Sequence, residues 1–260
     1  MAPLPLLSVA VAAAALLLAA DLATAAPDKL PPEYKLCKRD DNFISCLEEA
    51  FEVAVHQLRG GLPDFGIPSL EPFVIPQLVI GDSNTDAPVN LHINFSDINV
   101  YNLPTAKISN IRFDYENLRI NAHAQVEKAF CEANYIMDGR ILLIPAKGEG
   151  KVYLNFTNLA ADITINGERH MKKNRDHMKV KEFTFKVTNA DKLEMQFDNL
   201  FNGDKTLGTS INNLVNENWK EIWSQLVPPL EEIFGYTFKE YSRRIFDKVA
   251  LDDVFLPPSS

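Results

Sequence analysis

The residues of this chain best placed for covalent chemistry are Gly81-Asp82-Ser83-Asn84, which follow the apolar pair Val79-Ile80. A strand that runs into such a block can present a serine to an ester, and the hydroxyl then needs a base to take its proton. That base would come from an Asp-x-x-His pair late in the chain. The five histidines, His56, His92, His123, His170 and His177, have Val53, Val89, Ile120, Gly167 and Asn174 three residues earlier, so none completes the pair. A Gly-x-Asn-Asp block that would supply an oxyanion donor is also missing. The segment reads as a turn, and no catalytic residue is assigned.

Other chemistries fail on spacing. There is no Gly-x-Ser-x-Gly, no His-Glu-x-x-His and no phosphate-cradling glycine loop. Glu48-Glu49, Glu231-Glu232 and Asp252-Asp253 fall on polar faces and read as solvated charge. Three cysteines without a nearby pair of histidines do not make a zinc site, and no cofactor is implied. Cys37 and Cys46 are close in sequence and flank a helix start, so an oxidising compartment would pair them, leaving Cys131 as a buried thiol. The basic run from Arg169 to Lys179, with Lys172, Lys173 and Arg175 at its centre, reads as a solvated hairpin tip. Its functional alternative is a docking patch for an acidic receptor or a membrane surface.

The elements that would position these residues are of two kinds. Phe43, Leu47, Phe51, Ala54, Val55 and Leu58 recur at helical spacing within 40–59, with Asp40 or Asp41 as N-cap and Gly60-Gly61 as the stop. A proline-rich connector from Leu62 to Pro76 should run extended over the surface. From Val89 to Phe197 the period becomes two: Leu91, Ile93 and Phe95, then Leu118, Ile120, Ala122, Ala124 and Val126, then Val152, Leu154 and Phe156 alternate with polar neighbours. Ile163-Ile165, Phe183-Phe185-Val187 and Leu193-Met195-Phe197 continue it, the signature of antiparallel strands with one dry face. Asp138-Gly139, Gly148-Glu149-Gly150 and Asn166-Gly167 read as the turns between them. A final amphipathic helix from Leu207 to Ala250 would be ~65 Å long at 1.5 Å per residue, and Pro228-Pro229 should kink or split it. A helix of that length implies an elongated fold with the sheet laid along it.

Leu4 to Ala20 is almost wholly apolar, and Ala23-Thr24-Ala25 follows as a small-residue cleavage site, so residues 1–25 read as a signal peptide. The remainder, 26–260, reads as one domain, secreted and without stable membrane insertion. The chain carries a formal charge of −9, and losing Asp21 with the leader leaves −8, a balance that argues against a nucleic-acid partner. Asn94-Phe95-Ser96 and Asn155-Phe156-Thr157 are N-glycosylation sequons on the polar faces of strands.

Four stretches carry a family resemblance along nearly the whole of that domain. They are Cys37 and Cys46 with Gly66-Ile67-Pro68-Ser69-Leu70-Glu71-Pro72; Gly139-Arg140-Ile141-Leu142-Leu143-Ile144-Pro145 with Gly148-Glu149-Gly150; Asp198-Asn199-Leu200-Phe201-Asn202-Gly203-Asp204-Lys205 with Asn213 and Asn216-Glu217-Asn218-Trp219; and Leu251-Asp252-Asp253-Val254-Phe255. In these the chain resembles the insect Takeout and haemolymph juvenile hormone-binding proteins. The resemblance implies an α+β, TULIP-type fold: a long C-terminal helix wrapped by a strongly curved antiparallel sheet around an internal apolar tunnel. It implies carriage of a juvenile hormone-like isoprenoid, a fatty acid or a similar lipid, with roles in hormone transport, feeding, chemosensation or circadian output. Dedicated juvenile hormone carriers have a second disulfide, and the lone Cys131 departs from them towards Takeout.

The tunnel wall expected from the apolar faces comprises Ile211, Leu214, Val215, Trp219, Ile222, Trp223, Leu226 and Phe234 from the terminal helix, and Leu91, Ile93, Ile120, Tyr135, Leu154 and Phe185 from the strands. Wide aromatics suit a lipophilic guest, and Tyr135 could give its polar end a hydrogen bond. Two readings stand beside the carrier: a signalling module that docks on a cell-surface receptor, its pocket vestigial, and a GDSL-like esterase using Ser83.

Overall fold

A computed structural model describes residues 28–81, 89–141 and 143–258. The expected signal peptide and Asp82, Ser83 and Asn84 lie outside those residues. The chain order is β1 (Cys37–Lys38), α1 (Phe43–Gln57), β2 (Phe73–Ile80), β3 (Val89–Tyr101), β4 (Lys107–Asp114), β5 (Arg119–Ile141), β6 (Ile144–Lys172), β7 (Arg175–Asn189), β8 (Lys192–Phe197), α2 (Lys205–Glu217), α3 (Trp219–Phe246), α4 (Leu251–Val254) and β9 (Phe255–Leu256). The α+β architecture expected from the family resemblance is present: a long antiparallel sheet, with the C-terminal helices packed on it.

Two strands form the spine of that sheet. β5 and β6 pair with each other from Arg119↔Asn166 to Ile141↔Ile144. Each then divides its other edge between two partners: β5 takes β4 along 119–125 and β3 along 130–141, while β6 takes β8 along 152–157 and β7 along 160–172. The sheet therefore has two ends, and the same two strands wall both.

The glycines expected to turn the chain lie inside these long strands instead. Asp138-Gly139 is in β5, and Gly148-Glu149-Gly150 and Asn166-Gly167 are in β6. Close approach explains them better than turning does. A Cβ on Gly139 would sit 2.3 Å from the Asn90 carbonyl oxygen, and one on Gly148 2.8 Å from the Tyr135 hydroxyl. A real tight turn falls at Lys173-Asn174, where both residues have positive φ and join Lys172 to Arg175 as a two-residue hairpin.

The proline-rich connector also departs from expectation. Phe65, Ile67, Leu70 and Phe73 are buried in the main core, and its end becomes the edge strand β2. Pro76 is tolerated there because the pairing with β3 skips it, passing from Ile75↔Ile98 to Gln77↔Ser96. Helix α1 starts at Phe43 with Asn42 as N-cap, not an aspartate; Asp40 instead accepts the Asn42 N–H at 2.9 Å.

The terminal helix is split, but at Asn218, whose φ of −107° and ψ of 26° end α2 and begin α3. Pro228 and Pro229 lie within α3, which runs on past them for 28 residues in all, ~42 Å at the usual rise. Asp204 caps α2 by accepting the Thr206 and Leu207 N–H groups.

Acidic and amide side chains fasten helices to strand edges. From α2, Asn212 exchanges hydrogen bonds with both backbone groups of Phe197, and Asn216 does the same with Met195, so two side chains one turn apart replace a neighbouring strand for β8. Glu52 accepts the Ile108 N–H on β4, and Glu231 accepts the Val187 N–H while pairing with Lys186. Glu231 and Asp253 were expected to be solvated; both are mostly covered and paired.

Candidate functional site

The dry faces do not close everywhere. Between α1, α3 and the part of the sheet made by β5, β6 and β7 lies a cavity of about 310 Å³. A smaller void of about 60 Å³ adjoins it, sharing Leu103, Leu159, Trp223, Leu230 and Phe234 as common wall. The larger volume falls at the lower end of the ~300–1,000 Å³ usual for small-molecule sites.

Its wall follows from the sequence pattern of three elements. On α3, Trp223, Leu230, Phe234, Phe238, Tyr241 and Ile245 recur at three, four or seven residues and so share one helix face. Opposite them, Phe183 and Phe185 project from β7. Phe185 stacks on Phe234 with ring centroids 5.0 Å apart, and Phe183 on Phe238 at 5.9 Å. Small residues make the third side: Ala50 and Ala54 from α1, Ala122 and Ala124 from β5, Ala160 and Ala161 from β6. Ala124 and Ala161 are paired directly across the sheet, so the floor lacks side-chain volume where two strands meet.

Polar groups are few along this wall. Tyr34 and Lys35 enter from the segment before β1, and Tyr241 and Ser242 from α3. The Cys37–Cys46 disulfide, with Cα atoms 5.8 Å apart, ties that segment to α1, and Lys35 is ion-paired with Glu49 of the same helix. Burial, aided by the neighbouring Glu33 charge, pushes the Tyr34 phenol up to about 12; burial likewise raises Tyr241. Both are neutral donors at physiological pH. Burial, with the neighbouring Glu132 charge, also pushes the Cys131 thiol up to about 12, so this free, buried cysteine on the wall of the smaller void stays protonated at physiological pH.

The expected wall residues divide. Ile120, Phe185, Trp223 and Phe234 line the large cavity, and Leu154 and Leu226 line the small one. Ile211 and Leu214 border a separate groove of about 200 Å³ beside α2. Leu91, Ile93, Tyr135, Val215, Trp219 and Ile222 line none of these three. The Tyr135 hydroxyl is already committed, donating to the Asp198 carbonyl at 2.5 Å. Missed residues include Phe183, Phe238 and the alanines. The signal that could have found them is size: the dry positions of 118–126 read Leu, Ile, Ala, Ala, Val, and two consecutive alanines leave a floor that large neighbours do not fill.

The basic run forms the hairpin tip that was expected, and much of its charge is spent within the chain. Arg175 makes a two-pronged bond to Asp253, Lys172 donates to the Asp247 carbonyl, and Arg169 donates to the Tyr115 carbonyl. The receptor-docking alternative therefore has fewer free cations than the sequence suggested. Of the two sequon asparagines, Asn155 is exposed and Asn94 is half-buried, accepting a hydrogen bond from Gln77. Among the described residues no helix is long and apolar enough to cross a membrane.

Comparison with known proteins agrees with this architecture. The crystal structure of Epiphyas postvittana Takeout 1 superposes with a TM-score of 0.76 at 23% identity, covering 85% of this chain and 99% of that one. The circadian clock-controlled protein daywake of Drosophila melanogaster is 21% identical over 238 residues, 88% of this chain and 90% of that protein. Its counterpart in Drosophila yakuba is 20% identical over 231 residues, 86% and 88% of the two chains. The sequence pattern of one family spans residues 11–256, and by that match the chain belongs to the haemolymph juvenile hormone binding protein (JHBP) family.

Proposed function

We propose that this protein is a secreted, non-catalytic carrier that encloses a hydrophobic small molecule in the cavity between α3 and the alanine-floored part of the sheet. The observation that carries the reading is the cavity itself, about 310 Å³ walled almost entirely by aliphatic and aromatic side chains. Apolar guest surface moved there from water gains ~25 cal/mol per Å². A ligand of the isoprenoid or fatty-acyl type, juvenile hormone-like in size and polarity, suits such a wall. Membership of the JHBP family supports the same class, and likeness to the circadian clock-controlled protein daywake supports a role in circadian output; hormone transport, feeding and chemosensation are further roles open to such a carrier. In this reading residues 1–25 are removed as a signal peptide, 26–260 form the carrier domain, and Asn94 and Asn155 are glycosylation acceptors. A cell-surface receptor would be a secondary partner.

Displacement of a fluorescent fatty-acid probe from the purified chain tests the proposal. Saturable displacement by isoprenoid esters or fatty acids is expected. A folded protein from which no lipid class displaces the probe would overturn it.

A further inference from the structure

Within the carrier reading, on which this inference rests, one residue of the cavity wall carries a polar group that the described residues leave unpartnered. Tyr34 lines the large cavity and is 8% exposed, and its hydroxyl is buried without a hydrogen-bond partner among the described residues. A buried hydroxyl left unsatisfied keeps its desolvation penalty, and native structures leave few such groups without a reason. Tyr135 and Tyr101 show the contrast: the first donates to Asp198 and the second to Glu132.

Nor is Tyr34 loosely held. Its N–H donates to the Pro31 carbonyl at 3.1 Å, closing a turn, and the disulfide at Cys37 anchors the chain just beyond it. We propose that Tyr34 is the polar anchor of the ligand site, donating its phenolic hydrogen to an uncharged carbonyl or ether oxygen at one end of an otherwise apolar guest.

The surroundings choose the charge of that oxygen. Lys35, the cation in the cavity wall, is already committed to Glu49, and Glu33 on the other side of Tyr34 adds negative charge. An ionised carboxylate brought here would lose its hydration with no free cation among the described wall residues to receive it. An ester, ketone, aldehyde or ether oxygen loses far less and satisfies the waiting donor. The guest is therefore a neutral oxygenated lipid, favoured over a free fatty acid of equal length.

Binding of methyl laurate, tetradecane and laurate to the wild-type chain and to Tyr34→Phe tests this, because the substitution keeps the ring and removes only the hydroxyl. Methyl laurate should bind the wild type more tightly than laurate does at neutral pH. Tyr34→Phe should weaken methyl laurate about five- to tenfold and leave tetradecane within about twofold. The infrared carbonyl stretch of bound ester should lie lower in the wild type than in the variant, a signature that a purely packing role would not produce. Equal loss for ester and alkane, or no loss for either, overturns the anchor while leaving the carrier reading intact. Tighter binding of laurate than of its ester overturns the preference for a neutral oxygen. If none of the three binds the folded wild type, the anchor falls, while the carrier reading falls only if no lipid class displaces the fluorescent probe either.

Discussion

The two ends of the β5–β6 spine are built from the same strands and the same alternation, yet one is solid and the other hollow. At the 135–141 end the inward positions of β5 read Tyr135, Met137, Gly139 and Ile141. Tyr135 packs edge-on against Phe197 at 4.8 Å, Ile141 is completely buried, and Leu91, Ile93, Val152 and Leu200 close the space around them. At the 119–126 end the inward positions are Ile120, Ala122, Ala124 and Val126, and their partners on β6 include Ala160 and Ala161. Large aromatics from α3 and β7 face those alanines across a gap. A period of two decides which face is dry; the volumes on that face decide whether it encloses anything.

The largest effect expected from this contrast is on stability. Ile141→Ala at the solid end should cost ~2–5 kcal/mol, since it removes buried methyl groups and leaves a new void. Ile163→Ala at the hollow end should cost less than half as much, because Ile163 is only half-buried and already borders the cavity. Urea midpoints of the two variants measure the difference. Equal losses would mean that the gap is no gap to the folded chain.

Next in size is a substitution that should move binding and stability in opposite directions. Ala124→Phe puts a ring where the floor is empty, so ligand affinity should fall at least about tenfold while stability rises by ~0.5–2 kcal/mol, as cavity filling commonly does. Probe titration and thermal melting of one preparation give both numbers. Loss of stability together with loss of binding would show that the region is packed more tightly than its volume indicates.

How much of this the sequence disclosed follows from the same contrast. The disulfide, the dry faces and the amphipathic terminal helix were readable because periodicity and spacing are local properties, while the α+β class was what the family resemblance implied. Strand extents were not: Gly139, Gly148 and Gly167 look like turn residues, and only the tertiary approach of Asn90, Tyr135 and Met178 explains why side chains are excluded there. The break at Asn218 was assigned to Pro228-Pro229, since proline is the visible helix breaker while the Asn218 backbone has no sequence mark as strong. The site was half legible. Trp223 and Phe234 were found by helical spacing, while Tyr135 was chosen for a hydroxyl that Asp198 had already claimed.

The smallest effect lies at the hairpin tip, away from the cavity wall, and separates fastening from binding. The hydrogen bonds from Arg175 are the main reason that the Asp253 carboxyl is held below its usual range, against the opposing pull of burial. A carboxyl whose folded-state pKa is depressed contributes stability above its unfolded value of ~3.9 and loses it as pH falls through the folded value. Arg175→Ala should therefore lower the melting temperature modestly at pH 7, with the gap to wild type closing as the pH drops below that range. The pair is partly exposed, so added salt should shrink the gap as well. Ligand affinity at pH 7 should be unchanged, because neither Arg175 nor Asp253 lines the cavity. A variant that melts like the wild type yet loses affinity would instead tie the tip of the sheet to the site, and would revive the basic run as a functional surface.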